Sequence, residues 1–354
     1  MRHQLLLFLL LFMLGCQENT PISPINSILP TPQPITSEVV QTGVLDSYLL
    51  VLEQRDAPDF RVSRFDLSTL ETETLFAVPE NGWVNQIALS ADNKILALAY
   101  SPPSPDGNLI LDRSGIYLLP LDSDAETLTP LLVPESANSY YYTPVWSPDS
   151  RYIFYVQTVI QNNSFSDLDV TLMRLTVASG ETQTIAKDGI WPRVSPDGAH
   201  LTFIQVDPDT LERGLVVTNL DGEQRRELVS IGQYFDLDTP LFSADSQSVY
   251  FTVARENPAT RRTFWETVSN LRVSEAHANH NVPSAWWRIG LDGGEAEVLS
   301  AETDIILYGA FDTTGEHLYF STITGLYVYS TIENKTLRIA DAPYFRTLSV
   351  KPHD

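Results

Sequence analysis

The chain has 354 residues, of which 43% are hydrophobic and 19% charged, so it can bury a large core as one domain or two. Acidic residues outnumber basic ones by 45 to 22, and the formal net charge is -23. This balance argues against a nucleic-acid partner, which needs clustered Lys and Arg, and against adsorption to anionic lipid by charge alone.

The N-terminus carries the plan of a secretory signal. Arg2 and His3 precede an apolar run over residues 5–14, and a small residue, Gly15, stands before Cys16. A run of this length is too short to span a bilayer. Cys16 is the single cysteine, so no internal disulfide can form. A plain signal peptide with an incidental cysteine is the alternative interpretation.

This stretch resembles a bacterial lipoprotein signal. Gly15 and Cys16 fit its pattern, whereas Met13 replaces the usual Leu and Leu14 stands where a smaller residue is usual. The resemblance implies that residues 1–15 are removed and that the Cys16 sulfur carries a diacylglyceryl thioether. We therefore expect an extracytoplasmic protein of the bacterial cell envelope that meets the membrane through this lipid anchor only.

Residues 16–44 read as a linker. Proline recurs there among Ser, Thr, Asn and Gln, at Pro21, Pro24, Pro30, Pro32 and Pro34. Proline removes hydrogen-bond donors and favours extended backbone, so we expect a semi-rigid spacer rather than a packed strand. The folded domain is predicted to occupy residues 45–354.

Within that domain one hairpin pattern recurs, two apolar runs joined by a tight polar turn. In residues 193–204, Pro196 suits the second turn position, Asp197 the third, and Gly198 the positive φ that reverses the chain. The copies begin their turns at Ser90, Ser147, Ser195, Ser243 and Asp312. A period of about 40–50 residues with two hairpins per unit is typical of propeller blades.

The two ends of the domain complete the count of blades. The chain begins with three strands, over residues 47–52, 61–67 and 72–78, that lack a first strand. It finishes from Tyr344 with a first strand alone. Joined, these four strands make one blade beside the five internal ones. The sequence therefore predicts an all-β, six-bladed propeller of four-stranded antiparallel blades, closed by its two ends.

The repeated Ser-Pro-Asp-Gly hairpin resembles the WD40-like repeats of the TolB C-terminal propeller, which also occur in the prolyl oligopeptidase and tricorn protease families. The resemblance covers residues 46–354, but TolB carries an additional N-terminal α/β domain where this chain has only a linker. It implies a fold rather than a function, because the motif is a turn. The structural turn residues are Ser90, Asp92, Ser147, Asp149, Ser195, Asp197, Gly198, Ser243, Asp245 and Gly315.

We predict that function resides on one face of the ring. The loops between second and third strands and between blades share that face and hold the long excursions, at residues 101–114, 134–143, 157–169 and 254–284. Neutral insertion is the alternative, since surface insertions cost little stability. The candidate ligand residues on this face are Tyr141, Arg261, Arg262, Trp265, His277 and His280.

Each candidate also has an ordinary explanation. Tyr141 lies in a Tyr triplet predicted to be a loop between blades, where rim packing competes with stacking on a ligand. Thr263 and Glu266 form a capping box for a helix in the 254–284 insert, so its arginines can be a solvated helix face. Oligogalacturonate lyases, which share this type of propeller, use a histidine-rich metal site. His277 and His280 have no third ligand at a recognisable spacing, so we expect neither metal nor other cofactor.

The leading hypothesis is a monomeric, lipid-anchored propeller without catalysis, which binds or scaffolds a protein or peptide partner in the cell envelope. The sequence has no Gly-x-Ser-x-Gly nucleophile elbow, and no hydrolase domain follows the propeller. The alternative from another class is a polysaccharide-active enzyme, similar to oligogalacturonate lyase, with a metal bound on the propeller.

Overall fold

The structure is a computed structural model. It describes residues 47–54, 60–103, 114–121, 128–136, 138–161, 168–234, 236–254, 283–299, 306–341 and 344–352. The predicted signal peptide, Cys16 and the predicted linker therefore lie outside the described residues. Within the described ranges, no helix is long and apolar enough to cross a membrane.

Twenty-four strands form six antiparallel, four-stranded sheets, which are the blades of a propeller. Blade 1 contains β1 (Ser47–Gln54), β2 (Phe60–Asp66), β3 (Thr72–Ala77) and, from the other end of the chain, β24 (Tyr344–Pro352). Blade 2 contains β4 (Trp83–Leu89), β5 (Ile95–Ser101), β6 (Gly115–Pro120) and β7 (Thr129–Leu132). Blade 3 contains β8 (Ser139–Trp146), β9 (Tyr152–Ile160), β10 (Leu168–Thr176) and β11 (Thr182–Lys187).

The remaining blades follow in chain order. Blade 4 contains β12 (Gly189–Val194), β13 (Leu201–Val206), β14 (Arg213–Thr218) and β15 (Arg226–Val229). Blade 5 contains β16 (Leu237–Phe242), β17 (Ser248–Ala254), β18 (Ser284–Gly290) and β19 (Glu297–Val298). Blade 6 contains β20 (Ile306–Phe311), β21 (His317–Thr322), β22 (Leu326–Ser330) and β23 (Lys335–Ala340).

Blade 1 confirms the predicted closure of the ring. Its strand order is β24-β1-β2-β3, and β24 pairs antiparallel with β1 from Ser47 opposite Pro352 to Gln54 opposite Tyr344. The last strand of the chain thus supplies the innermost strand of the first blade. The fold is the predicted all-β, six-bladed propeller.

Both faces of each blade are buried because alternate side chains of a strand point to opposite neighbours. In β1, Leu49 and Val51 pack with blade 6, whereas Leu50 and Leu52 pack with blade 2. Five hydrophobic clusters continue this arrangement around the ring, so that every blade shares a core with both neighbours. Gly309 allows one close approach, since a Cβ there would lie 2.8 Å from the Trp286 ring.

The recurrent turns close with one set of hydrogen bonds. In four of them the serine hydroxyl donates to the aspartate two residues later, with Oγ to Oδ1 distances of 2.5–2.6 Å. The same serine oxygen accepts from the backbone N–H five residues on, as His200 shows at 2.9 Å. In blade 6, Asp312 takes the serine position and pairs with His317 Nδ1 at 2.9 Å.

The fourth turn position has positive φ in all five copies, although only two of them carry glycine. Gly198 and Gly315 have φ of 71° and 74°, while Asn93, Ser150 and Ser246 have φ of 60°, 56° and 60°. A side chain is strained in this left-handed region and glycine is not. The non-glycine copies therefore keep the turn at some cost in stability.

This difference between the copies predicts opposite effects for two substitutions. We expect Ser150→Gly to raise the free energy of unfolding by about 0.5 kcal/mol and Gly198→Ala to lower it by about 1 kcal/mol. A Cβ at Gly198 would meet only Pro148, at 3.9 Å, so the cost comes from φ rather than from crowding. Urea unfolding followed by circular dichroism measures both changes. Ala199→Gly, at an exposed turn position without positive φ, is the control and should not stabilise the protein.

Candidate functional site

The loops of the propeller divide between two faces of the ring. One face, which we call the short-turn face, carries the turns between first and second strands and between third and fourth strands. The opposite face, which we call the long-loop face, carries the connections between second and third strands and between blades. The widest separations between consecutive strands, over residues 102–114 and 255–283, belong to the long-loop face. Two predicted excursions shrink to residues 133–138 and 161–167 because strands extend into them.

Tyr141 is the one predicted ligand residue within the described part of the chain, and its predicted loop position is wrong. All of Tyr140, Tyr141 and Tyr142 lie in β8. Tyr141 is buried and packs edge-on against Tyr155, with ring centroids 5.2 Å apart. It belongs to the core between blades 2 and 3 and is not open to a ligand. Arg261, Arg262, Trp265, His277 and His280 lie outside the described residues.

The structure draws attention instead to the innermost strands, which surround the axis of the ring. In all six blades the pairing of first and second strands is interrupted by a register shift, and in blades 3, 4 and 5 this bulge lies at the same distance from the turn, as between Ile190 and Arg193 in β12. The bulge residues in blades 3, 4 and 5 are Thr143, Trp191 and Thr239, with φ of 51°, 53° and 50°. Such strain in non-glycine residues is concentrated at functional sites.

Two aromatic side chains reach across the axis at this level. The rings of Trp191, from blade 4, and Tyr308, from blade 6, have centroids 5.8 Å apart. The innermost strand of blade 5 stands between these blades in the ring, so the contact passes over it on the axial side. The two rings therefore narrow the axis at the level of the bulges.

Four charged residues of blades 4 and 5 are linked to one another, and we call Arg193, Arg213, Asp236 and Asp238 the axial cluster. Arg213 pairs with both aspartates, and Asp238 interacts electrostatically with Arg193 on the innermost strand of blade 4. One guanidinium nitrogen, Arg213 Nη1, lies 2.8 Å from Asp236 Oδ1 and 3.1 Å from Asp238 Oδ2. All three of these residues are at least 90% buried. Arg213 begins β14 and the two aspartates flank the start of β16, so this part of the cluster lies at the long-loop end of the strands.

One arginine, Arg213, thus faces two buried carboxylates. This arrangement shifts the pKa values of Asp236 and Arg213. The pKa of Asp236 is raised to about 6, mainly by burial; Arg213 opposes this rise and the neighbouring Asp238 adds to it. Burial tends to lower the pKa of Arg213, but the two aspartates outweigh it and raise that pKa, so Arg213 stays charged. Asp236 is therefore the group of the cluster that changes charge near pH 6.

Arg193 supplies the second positive charge. Burial lowers its pKa to about 10, an effect that Asp238 and Tyr308 partly oppose, so the guanidinium remains charged at neutral pH. Tyr308 belongs to a blade two places further round the ring, so the Arg193 side chain must extend towards the axis to be influenced by it. Its one hydrogen bond within the described structure runs from Nη1 to the carbonyl oxygen of Pro192, at 2.8 Å.

Sequence reasoning missed this site, although a signal for it existed. Proline occurs three residues before the turn serine in blades 3, 4 and 5, at Pro144, Pro192 and Pro240. Proline within a strand indicates a bulge or an edge. Aligning the copies on this proline would have brought out Thr143, Trp191 and Thr239 as equivalent positions. The charges of the axial cluster come from different blades and show no such pattern.

The described residues offer groups that can bind a ligand. They include no group of three or more His, Cys, Asp or Glu placed to hold a metal ion. The axial cluster offers guanidinium donors and carboxylate acceptors next to aromatic rings. These groups recognise polar and charged parts of a ligand.

Comparisons with known proteins identify the fold. No protein-family model matches the sequence, and no curated protein matches it. TolB from Acinetobacter baumannii superimposes with a TM-score of 0.59 at 16% identity, over 88% of this chain and 69% of that one. A putative TolB from Agrobacterium tumefaciens gives 0.57 at 13% identity, over 87% and 98%. An oligogalacturonate lyase in complex with manganese gives 0.52 at 14% identity, over 80% and 71%.

These similarities establish a TolB-like propeller fold, as the repeated hairpin indicates. The structures that share it include an enzyme, the lyase, as well as TolB. At identities this low the likeness extends to the fold alone, so function has to be argued from this chain's own residues.

The raised pKa of Asp236 predicts a pH-dependent effect of Asp236→Asn. A carboxyl whose pKa is higher in the folded state than the ordinary 3.8 stabilises the fold below pH 4 and loses that contribution as the pH rises through 6. The Asp236→Asn variant does not lose stability in this way, because an amide does not ionise. We expect its free energy of unfolding, relative to the wild type, to be more favourable at pH 7.5 than at pH 4.5 by about 2 kcal/mol.

Urea unfolding at the two pH values measures this difference. Asp209→Asn, which removes an exposed carboxylate on the long-loop face, controls for the loss of one negative charge. A difference between Asp236→Asn and the wild type that is the same at both pH values would show that Asp236 is ionised alike in the folded and unfolded chains.

Proposed function

We propose that this protein is a lipid-anchored, extracytoplasmic binding or scaffolding module of the bacterial cell envelope. Cys16 carries the lipid, residues 16–44 form the spacer, and the propeller takes a protein or peptide partner at its axis and long-loop face. The protein acts as a monomer and without catalysis.

The observation that carries this proposal is the axial cluster. Arg213 pairs with two aspartates that flank the start of the innermost strand of blade 5, and Arg193 lies on the bulged innermost strand of blade 4. Buried charge is costly to maintain and persists where the surrounding structure holds it firmly. A rigid scaffold that presents polar groups at its centre supports recognition of a partner.

The net charge and the N-terminal pattern support the envelope location. A chain of charge -23 has little attraction to anionic lipid, so stable residence on a membrane requires a covalent anchor. Lipoprotein cysteines carry more than one acyl chain, which gives lasting rather than reversible attachment. The proline-rich segment after Cys16 suits a spacer that keeps the propeller clear of the headgroups.

The anchor is tested by Cys16→Ser in the full-length chain. We expect the wild type to sediment with membranes and the variant to leave the membrane fraction, with its signal peptide no longer processed by the lipoprotein route. Fractionation and immunoblotting measure the distribution, and mass spectrometry of the wild type detects the added acyl mass. A wild-type N-terminus without lipid, or a variant that still sediments, would contradict the anchor and leave the propeller's binding role to be judged separately.

Partner binding is tested with the lipidated protein as bait in native envelope extracts. We expect Asp238→Asn to weaken retention of the specific partner by roughly thirtyfold or more, because truncating one member of a buried charged network costs about 2 kcal/mol or more in binding. Glu333→Gln, an exposed residue on the short-turn face, is the matched control and should retain the partner.

Equal retention by both variants would contradict a role for the axis. The competing enzymatic function receives a direct assay on the same protein, with oligogalacturonide and Mn²⁺ and with His277→Ala and His280→Ala as controls. Release of an unsaturated uronide that depends on these histidines would replace the binding module with a lyase.

A further inference from the structure

We propose that Arg193 receives a carboxylate group of the ligand and that the axial cluster takes up one proton when this ligand binds. This inference deepens the proposed binding function and rests on it. It assigns the chemical class recognised at the axis, together with the dependence of that recognition on pH.

Most of the hydrogen-bond donors of Arg193 are unused within the described structure. A guanidinium has five N–H donors in a planar fork, and within the described structure Arg193 uses one of them, towards the Pro192 carbonyl oxygen. Asp238, which influences Arg193 electrostatically, has its oxygens engaged elsewhere. Its Oδ2 lies 3.1 Å from Arg213 Nη1, and its Oδ1 accepts from the Thr239 N–H at 2.9 Å.

Two threonine hydroxyls are buried at the level of the bulges. Thr143 Oγ1 and Thr239 Oγ1 are buried and have no hydrogen-bond partner among the residues that the structure describes. They occupy equivalent positions on the innermost strands of blades 3 and 5, on either side of the blade that carries Arg193. A buried polar atom left without a partner costs about 1–3 kcal/mol. Both threonines are at most 2% exposed, so a ligand oxygen would recover that cost where it displaces the side chains that cover either hydroxyl.

The net charge of the axial cluster limits which ligands it can bind. With both aspartates ionised the axial cluster is neutral, because two arginines face two carboxylates, and an added anion would be buried without compensation. The charged and titratable groups facing this region are Arg213 and Asp238 around Asp236, and Asp238 and Tyr308 around Arg193. Asp236 is the member that protonates near pH 6, which leaves one net positive charge. The axial cluster therefore takes up one proton, on Asp236, when the carboxylate ligand binds.

Among anions, a carboxylate fits Arg193 and the charges beside it best. A planar guanidinium fork matches a carboxylate with two parallel hydrogen bonds. A phosphate would bring up to two negative charges next to Asp238, against the single positive charge that protonation releases. A peptide C-terminus and an acidic side chain both supply a carboxylate of this kind.

Three pools of octapeptides, with no Asp or Glu at their random positions, test the inference on the immobilised full-length protein. The first pool has free C-terminal carboxylates, the second has C-terminal amides, and the third is amidated with one fixed internal Glu. Retained peptide is quantified by mass spectrometry at pH 5.5 and pH 7.5. We expect the first or third pool to be enriched over the second at pH 5.5, and that enrichment to fall by roughly tenfold at pH 7.5.

Variants then locate the site. Arg193→Gln should abolish the preference for carboxylate, whereas Arg151→Gln, an exposed arginine in a first-to-second-strand turn, should leave it unchanged. Arg193→Lys keeps the charge but loses the fork, so it should weaken the preference while preserving the fold. Asp236→Asn should keep the preference and lose its dependence on pH. Circular dichroism checks that each variant is folded.

The outcomes separate this inference from the function on which it rests. Equal retention of all pools by the wild type, or a preference that survives in folded Arg193→Gln, overturns the carboxylate site. A preference that is the same at both pH values overturns the coupled proton. Specific retention of an envelope partner alongside either result keeps the binding module and rejects only its proposed chemistry.

Discussion

The structure depends on the closure of a ring in which no blade is stable alone. Each four-stranded sheet buries both faces against its neighbours, so removing one blade would expose the cores of two others. A chain that began and ended at a blade boundary would hold that junction by side-chain packing only. Pairing β24 with β1 places backbone hydrogen bonds across the junction instead. It also covers two edges that would otherwise be open to another chain.

In the described sheets the innermost strands have one unpaired edge at the axis, as the outermost strands have at the rim. Each innermost strand has a second strand on one side and no strand on the other, so its polar backbone groups and bulges face the centre of the ring. Three of these strands carry proline after the bulge residue, which an edge strand tolerates because the missing N–H has no ladder partner there. The same edge position allows side chains from different blades, such as Trp191 and Tyr308, to meet. The axial cluster is thus a consequence of the ring, assembled from residues that are distant in the chain.

Much of the fold could be predicted from sequence because its determinants are local. The Ser195–Asp197 hydrogen bond and the positive φ at Gly198 arise within one turn, and repetition makes them visible. The predicted loop at Tyr141 failed because β-strand propensity and a bulge extended β8 further than the turn pattern indicated. The ion pairs of Arg213 with Asp236 and Asp238 could not be predicted, since they depend on which residues of adjacent blades meet at the axis.

The overall charge and the axial cluster act over different distances. A charge of -23 repels anions from afar, but at physiological ionic strength this field is screened within about 8 Å of the surface. Inside the ring the dielectric is lower, so the arginines and the ionisation of Asp236 decide the balance of charge. An acidic exterior therefore does not prevent an anionic group from being held at the axis. It means that such a group gains its affinity from short-range hydrogen bonds and one proton, rather than from steering at long range.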